Sequence, residues 1–98
     1  MYVVRNVFKC KPGQAKNLIE KFKKATEVLQ QSDAVKSERI LVDEVATFWT
    51  VVIETEVEDL TKFSQAMQEY GSKVEVRQAM EGYMELVDGG YREIFRVA

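Results

Sequence analysis

Seven consecutive residues, Thr47-Phe48-Trp49-Thr50-Val51-Val52-Ile53, constrain this chain more than any other stretch. β-Branched and aromatic residues packed this densely predict a strand. Alternation along it places Phe48, Thr50 and Val52 on one face and Trp49, Val51 and Ile53 on the other. Both faces are apolar, so both need cover. A chain of 98 residues with a few helices covers one face of a sheet. The expectation is that a second copy of the chain covers the other, with Trp49, Val51 and Ile53 as the interface candidates.

The flanking sequence supplies the rest of the sheet. Tyr2 to Lys9 predicts a first strand, and Lys11-Pro12-Gly13 a turn. From Gln14 to Gln31, Ala15, Leu18, Ile19, Phe22, Ala25, Val28 and Leu29 recur at helical spacing. Ser37 to Val42 predicts a second strand, with Ile40 and Val42 on one side and Arg39 and Leu41 on the other. Asp43-Glu44 then suggests a tight hairpin into a third strand over Ala46 to Thr55. A second helix carries Leu60, Phe63, Met67 and Tyr70. Thr55 with Glu58 has capping-box spacing, and the cap itself can fall a residue or two later. Gly71-Ser72 interrupts this helix, and Ser72 with Glu75 is a second candidate box. A further helix carries Val76, Ala79, Met80, Tyr83 and Val87. Asp88-Gly89-Gly90 predicts a stop before a last strand, Tyr91 to Val97.

The predicted order is β-α-β-β-α(α)-β over a single domain spanning 1–98. It is the order of the ferredoxin-like split βαβ fold, with helices on one face of a four-stranded antiparallel sheet.

Composition narrows the function classes. The net charge of −2 offers no general pull toward nucleic acid or an anionic membrane. No uncharged apolar run is long enough to span a membrane, and the first residues lack the pattern of a secretory signal. The one cysteine, Cys10, cannot form an internal disulfide, which fits a cytoplasmic location. The chain has no histidine. The usual near-neutral acid/base is therefore missing, as are the common zinc and haem-iron sites. An oxygen-only metal site would need clustered carboxylates, and no metal or other cofactor is expected. Bases crowd residues 1–24 and acids residues 43–59; a solvated helix face with acidic turns accounts for this, and a basic rim steering an anion is the functional alternative.

With the element order in place, the run Asn6-Val7-Phe8-Lys9-Cys10-Lys11-Pro12-Gly13-Gln14-Ala15-Lys16 resembles the dimeric α+β-barrel superfamily. That group holds antibiotic-biosynthesis monooxygenases, haem-degrading monooxygenases, EthD-like and NIPSNAP-like proteins and stress-responsive barrels. A strand ending in Lys-Pro-Gly ahead of an amphipathic helix is frequent there. The resemblance covers nearly the whole chain. It implies a homodimer with sheets packed across a two-fold axis, and a ligand cleft in each subunit between sheet and helices. Its haem-degrading members use an Asn on strand one, a Trp near the end of strand three and an iron-ligating His on the next helix. Asn6 matches the first, the Trp position falls near Glu54, and no His exists, which argues against haem degradation. Other members oxidise electron-rich aromatic substrates without metal or flavin, in a dry pocket that orients the substrate.

These considerations select site candidates. Asn6, an amide in an otherwise apolar strand, is expected to face the helices with Tyr2, Val4 and Phe8. It is either satisfied by its neighbours or a cleft contact. Glu54 is expected on the helix side too, either ion-paired to Arg5, Arg39 or Arg92, or a desolvated general base. These two are the catalytic candidates. Asn6, Phe8, Phe48, Thr50 and Tyr83 are the ligand-binding candidates. Tyr70, Tyr83 and Tyr91 can aim hydroxyls into a cleft, while Met67, Met80 and Met84 form adaptable core or pocket wall. Cys10, between Lys9 and Lys11, can carry a lowered pKa, though it lacks a histidine partner.

Three functions are consistent with this: a small-molecule-binding homodimer with an apolar or aromatic ligand; a cofactor-independent monooxygenase acting on an aromatic or polyketide-type substrate; and a dimerisation module.

Overall fold

The computed structural model describes all 98 residues. Strands β1 (Tyr2–Cys10), β2 (Ser37–Val42), β3 (Thr50–Val57) and β4 (Val87–Arg96) form one sheet in the order β2-β3-β1-β4. Every neighbouring pair is antiparallel. Helices α1 (Ala15–Leu29), α2 (Leu60–Gly71) and α3 (Val74–Ala79) follow in the expected order, with a 3₁₀ turn at Tyr83–Leu86. This is the ferredoxin-like α+β architecture.

Register fixes the two faces. Across the middle of the sheet Val42, Val51, Phe8 and Gly90 share a row, as do Ile40, Ile53, Asn6 and Arg92, and Glu38, Thr55, Val4 and Ile94. These rows face the helices. Val51 and Ile53 pack with Leu18 and Phe22 of α1, while Val4 and Val57 pack with Leu29, Phe63 and Ala66. The alternate rows lie on the open face: Leu41, Val52, Val7 and Tyr91, then Arg39, Glu54, Arg5 and Glu93.

The third strand therefore departs from expectation. It starts at Thr50, and its faces are the reverse of those predicted for the helix side. Phe48 and Trp49 adopt left-handed backbone, φ 68° and 52°, which no strand accommodates. Seven residues, 43–49, join β2 to β3 in place of a tight hairpin. Asp43 shapes this loop: its N–H donates to the Thr50 carbonyl at 3.2 Å, and its Oδ1 accepts from the Thr50 N–H at 3.0 Å. Val51 and Ile53 lie under the chain's own helices and cannot meet a second sheet. Trp49 sits in the loop, off the sheet face.

Other boundaries moved for local reasons. Asp59 caps α2, accepting from Thr61 N–H at 2.9 Å and Lys62 N–H at 3.1 Å, so the box at Thr55 and Glu58 is not used. The second box fails as well: the α3 cap is Lys73, and the Ser72 hydroxyl donates to the Glu69 carbonyl at 2.9 Å. The last helix ends at Ala79 because Gly82, at φ 78°, turns the chain left-handed. Asp88-Gly89-Gly90 does not stop the chain; it lies within β4. A Cβ on Gly90 would sit 2.4 Å from the Val7 carbonyl oxygen, so the glycine permits a close strand approach beside the register shift at Lys9 and Cys10.

No helix is long and apolar enough to cross a membrane.

Candidate functional site

The buried apolar side chains beneath the helices form two clusters. Between them lies a cavity of about 210 Å³. Phe22 and Ile53 of the first cluster and Leu29 and Phe63 of the second form part of its wall. Protein interiors normally close to crystal-like density. A core divided by a cavity this large is the geometry of a binding site.

The sheet supplies the floor and all of the charge: Asn6 and Phe8 from β1, Ile53 and Thr55 from β3, Glu38 from β2 and Arg92 from β4. The helices supply an almost wholly apolar roof, with Ala25 of α1, Met67 and Tyr70 of α2, and Val76 of α3 beside the residues already named. Phe8 and Phe22 meet with ring centroids 4.8 Å apart, tilted at 43°, and stiffen the wall.

Glu38 is the most informative polar group. Thr55 is its partner in the β2–β3 ladder and is fully buried. The Thr55 hydroxyl donates to Glu38 Oε2 at 2.8 Å. Glu38 Oε1 is buried and has no hydrogen-bond partner. Burial pushes this carboxyl above the ordinary glutamate range, against the smaller opposing effect of the Thr55 hydrogen bond.

At the other side of the floor, Arg92 Nε donates to Asn6 Oδ1 at 2.6 Å. The two residues are opposite each other in the β1–β4 ladder. No carboxylate lies within ion-pair distance of Arg92. The hydrogen bond leaves the Asn6 amide N–H₂ and the terminal guanidinium donors without protein partners.

Of the residues singled out from sequence, Asn6 and Phe8 are brought together on the cavity floor, with Asn6 facing the helices as expected. Phe48 and Thr50 are not part of it. Phe48 is 75% exposed in the 43–49 loop, and Thr50 pairs with Lys9 on the open face. Tyr83 packs against the first core cluster, outside the cavity lining. Met67 and Met80 line the cavity, and Met84 is exposed.

Glu54 lies on the open face, the side away from the cavity. There it bridges two guanidiniums: Arg5 Nη1 at 3.3 Å, and Arg39 Nη2 at 2.7 Å with Nε at 3.1 Å. The predicted ion-pair alternative holds for Arg5 and Arg39, not for Arg92. The Glu54 hydrogen bonds, reinforced by its charge, raise the Arg39 guanidinium further above its ordinary value.

Cys10 is buried, and its thiol pKa is raised, the reverse of activation. Burial dominates and nearby Asp43 adds to it, outweighing Lys9. Three of the bases crowded into residues 1–24 are engaged within the chain and so are not free for the alternative reading of a basic rim. Arg5 pairs with Glu54, Lys9 donates to loop carbonyls, and Lys21 donates to the Glu81 carbonyl at 2.6 Å.

Sequence reasoning missed Glu38. The signal was available: alternation in β2 that puts Ile40 and Val42 on one face puts Glu38 there too. A carboxylate on an apolar face is a site candidate.

No protein-family model matches the chain, and no curated protein matches it in sequence. Solved structures share its fold. A NIPSNAP domain protein from Burkholderia xenovorans superposes with a TM-score of 0.82 at 9% identity, over 100% of this chain and 95% of that one. A NIPSNAP family protein from Agrobacterium tumefaciens gives 0.80 at 8% identity, over 99% and 92%. A structure described as an antibiotic biosynthesis monooxygenase gives 0.74 at 13% identity, over 100% and 99%. At these identities the likeness establishes the fold alone.

Proposed function

We propose that the chain is a homodimeric small-molecule-binding domain, whose ligand is a small apolar or aromatic molecule held between the sheet and α1, α2 and α3. The observation that carries this reading is the cavity that divides the core. Its volume of about 210 Å³ exceeds the roughly 150 Å³ that admits benzene and falls short of the roughly 300 Å³ at which sites for larger ligands begin. A ligand of one ring, or of two small fused rings, fits that range.

The homodimer reading rests on the open face. Val7, Val52, Leu41 and Tyr91 form an apolar row, next to the ion-paired row centred on Glu54. Tyr91 is 60% exposed and Phe95, also on this face, 51%. Val7 and Val52 are already shielded within the chain, so Tyr91 and Phe95 are the exposed apolar groups that self-pairing would bury.

A second reading is a cofactor-independent monooxygenase acting on an aromatic or polyketide-type substrate. It is favoured by the fold shared with a protein described as an antibiotic biosynthesis monooxygenase. It is also favoured by the half-buried carboxyl of Glu38, one oxygen of which is buried and unpaired, in a mostly apolar cavity. A general base of that kind would take a proton from an acidic aromatic hydroxyl, after which the electron-rich anion reacts with oxygen.

Native mass spectrometry of freshly purified protein, followed by titration with indole, tests the binding reading. The expected result is a dimer that binds one indole per subunit, with binding lost in Ala25→Phe, which fills the cavity. Failure of the wild-type protein to bind indole or any retained ligand would count against it. Oxygen uptake with a hydroquinone panel, lost in Glu38→Gln, separates the enzyme reading from simple binding.

A further inference from the structure

We infer that the cavity takes a hydroxylated aromatic carboxylate bound by both ends, its hydroxyl at Glu38 and Thr55 and its carboxylate at Arg92 and Asn6. This deepens the binding reading above and rests on it. The polar groups of the floor sit in two places, with apolar wall between them.

At the β2 end, Glu38 Oε1 is buried without a partner while Oε2 accepts from Thr55. A buried acceptor left unpaired is costly, and a ligand group that pairs with it gains correspondingly. A hydroxyl suits this atom in both of its states. It donates to Oε1 when the carboxyl is ionised, and accepts from Oε1 when the carboxyl is protonated, since Oε2 is already engaged by Thr55. A second carboxylate at this end would face a like charge in a poorly solvated place.

At the β4 end the chemistry is reversed. Arg92 carries the cavity's only positive charge. Its Nε and the Asn6 carbonyl are engaged with each other, which fixes the guanidinium plane and leaves donors alone facing any ligand. Donors without an acidic partner, on a planar fork, match a carboxylate. Arg92 is exposed, so this is the wet end, where an anion sits at least desolvation cost.

Placement constrains the molecule between them. Glu38 and Arg92 stand on the two edge strands, three strand spacings apart and two residues offset along them, roughly 16 Å between backbones. Both side chains line the same cavity from those positions, so one ligand seated in it can meet both. The cavity wall is aromatic and thioether, Phe8, Phe22 and Phe63 with Met67, and suits a flat π face.

The test is calorimetric titration of the full chain with 4-hydroxybenzoate, benzoate and 4-hydroxybenzyl alcohol, with indole as a neutral apolar probe. The expected result is that loss of the hydroxyl or of the charge each weakens binding about tenfold. Arg92→Gln, at an exposed position, should bind the acid and the alcohol alike. Glu38→Leu should bind 4-hydroxybenzoate and benzoate alike. Wild-type protein that does not distinguish acid from alcohol overturns the inference, as does an Arg92→Gln variant that keeps the wild-type preference. Indole binding without any such preference leaves the cavity reading standing and removes this one. Absence of binding by all four probes removes both.

Discussion

Thr55 donates a hydrogen bond to one carboxylate oxygen of Glu38 at 2.8 Å, while the other oxygen of that carboxylate is buried and unpaired. The pair therefore half-satisfies a charge that the fold has taken from water. The folded-state pKa of Glu38 is raised above its unfolded value by burial. The native state then holds the proton more tightly than the unfolded chain, so the Glu38 contribution to stability falls as pH rises. The loss begins near the ordinary glutamate range and is complete above the raised value. Thermal melts of wild type and Glu38→Leu across pH 4 to 8 should diverge in that direction, the variant gaining as pH rises. Glu38→Leu removes the unpaired Oε1 but also takes the acceptor from the buried Thr55 hydroxyl, two opposing effects of about 1 kcal/mol or more each, so the divergence with pH is what reports Glu38. Parallel melting curves would contradict this.

Glu54 serves the opposite face. It holds Arg5 and Arg39 together, and its own side chain is 17% exposed. Glu54→Gln leaves two guanidiniums flanking a neutral amide on the surface assigned to self-association. Dimer dissociation should rise by about two- to fivefold, the size expected of a largely exposed ion pair. Indole affinity should be unchanged, because the sheet separates Glu54 from the cavity. Sedimentation equilibrium and indole titration on the same preparation check both halves.

Tyr91 and Val51 form a contrasting pair. Tyr91 is exposed on the open face, whereas Val51 is fully buried under α1. Tyr91→Asp should give a folded monomer, with far-ultraviolet circular dichroism unchanged and the light-scattering mass halved. Val51→Asp places an unpaired charge in the core and should not fold. A folded Val51→Asp dimer would restore the face assignment first suggested by sequence.

Gly90 and Gly89 are adjacent and differ in what surrounds them. A Cβ on Gly90 meets the Val7 carbonyl, whereas one on Gly89 meets nothing. Gly90→Ala should lose about 2 kcal/mol by forcing β4 away from β1, and Gly89→Ala should lie within about 0.5 kcal/mol of wild type. Urea denaturation of the two variants measures the difference directly.

Particular residues show how far the sequence could be read. Helical spacing located α1 to within two residues at each end, because a long amphipathic stripe averages over many positions. The run Ile40-Leu41-Val42 behind Ser37 marks β2 at its observed bounds, Ser37–Val42. Apolar alternation in β3 gave no such guide. With apolar residues on both faces, the pattern is unchanged by a one-residue slip, and each slip exchanges the faces. The resolving information lay outside the strand, in β1 and β2 register and in the left-handed residues Phe48 and Trp49. That slip exchanges the faces of Glu54 and Thr50, whereas Phe48 misses the site because the strand begins only at Thr50. Asn6 was read correctly because β1 alternates charge and apolarity on its open side. Arg92 became a site residue only through a contact with Asn6 that spans 86 positions, beyond any local pattern.

The 43–49 loop offers a last test, reported by the chain's single tryptophan. The Lys9 ammonium donates to the backbone carbonyls of Thr47 and Phe48, at the point where Phe48 and Trp49 take up left-handed backbone. A non-glycine residue in that region is unfavourable, and two in succession persist only where surrounding contacts hold them. Lys9 is one such contact, and the hydrogen bond from Cys10 N–H to the Trp49 carbonyl at 2.8 Å is another. Lys9→Met keeps the apolar stem and removes the donors. The loop should then relax toward ordinary backbone and carry Trp49, now 42% exposed, further into water. Tryptophan emission should shift to longer wavelength and acrylamide quenching should increase, while the urea midpoint moves little because the loop lies outside both core clusters. Replacing Phe48 by glycine tests the same strain from the other side: it should stabilise the chain by about 1 kcal/mol if the left-handed backbone is unfavourable for phenylalanine there. An unshifted spectrum in Lys9→Met, with no gain in Phe48→Gly, would mean that Asp43 and Cys10 alone set the loop.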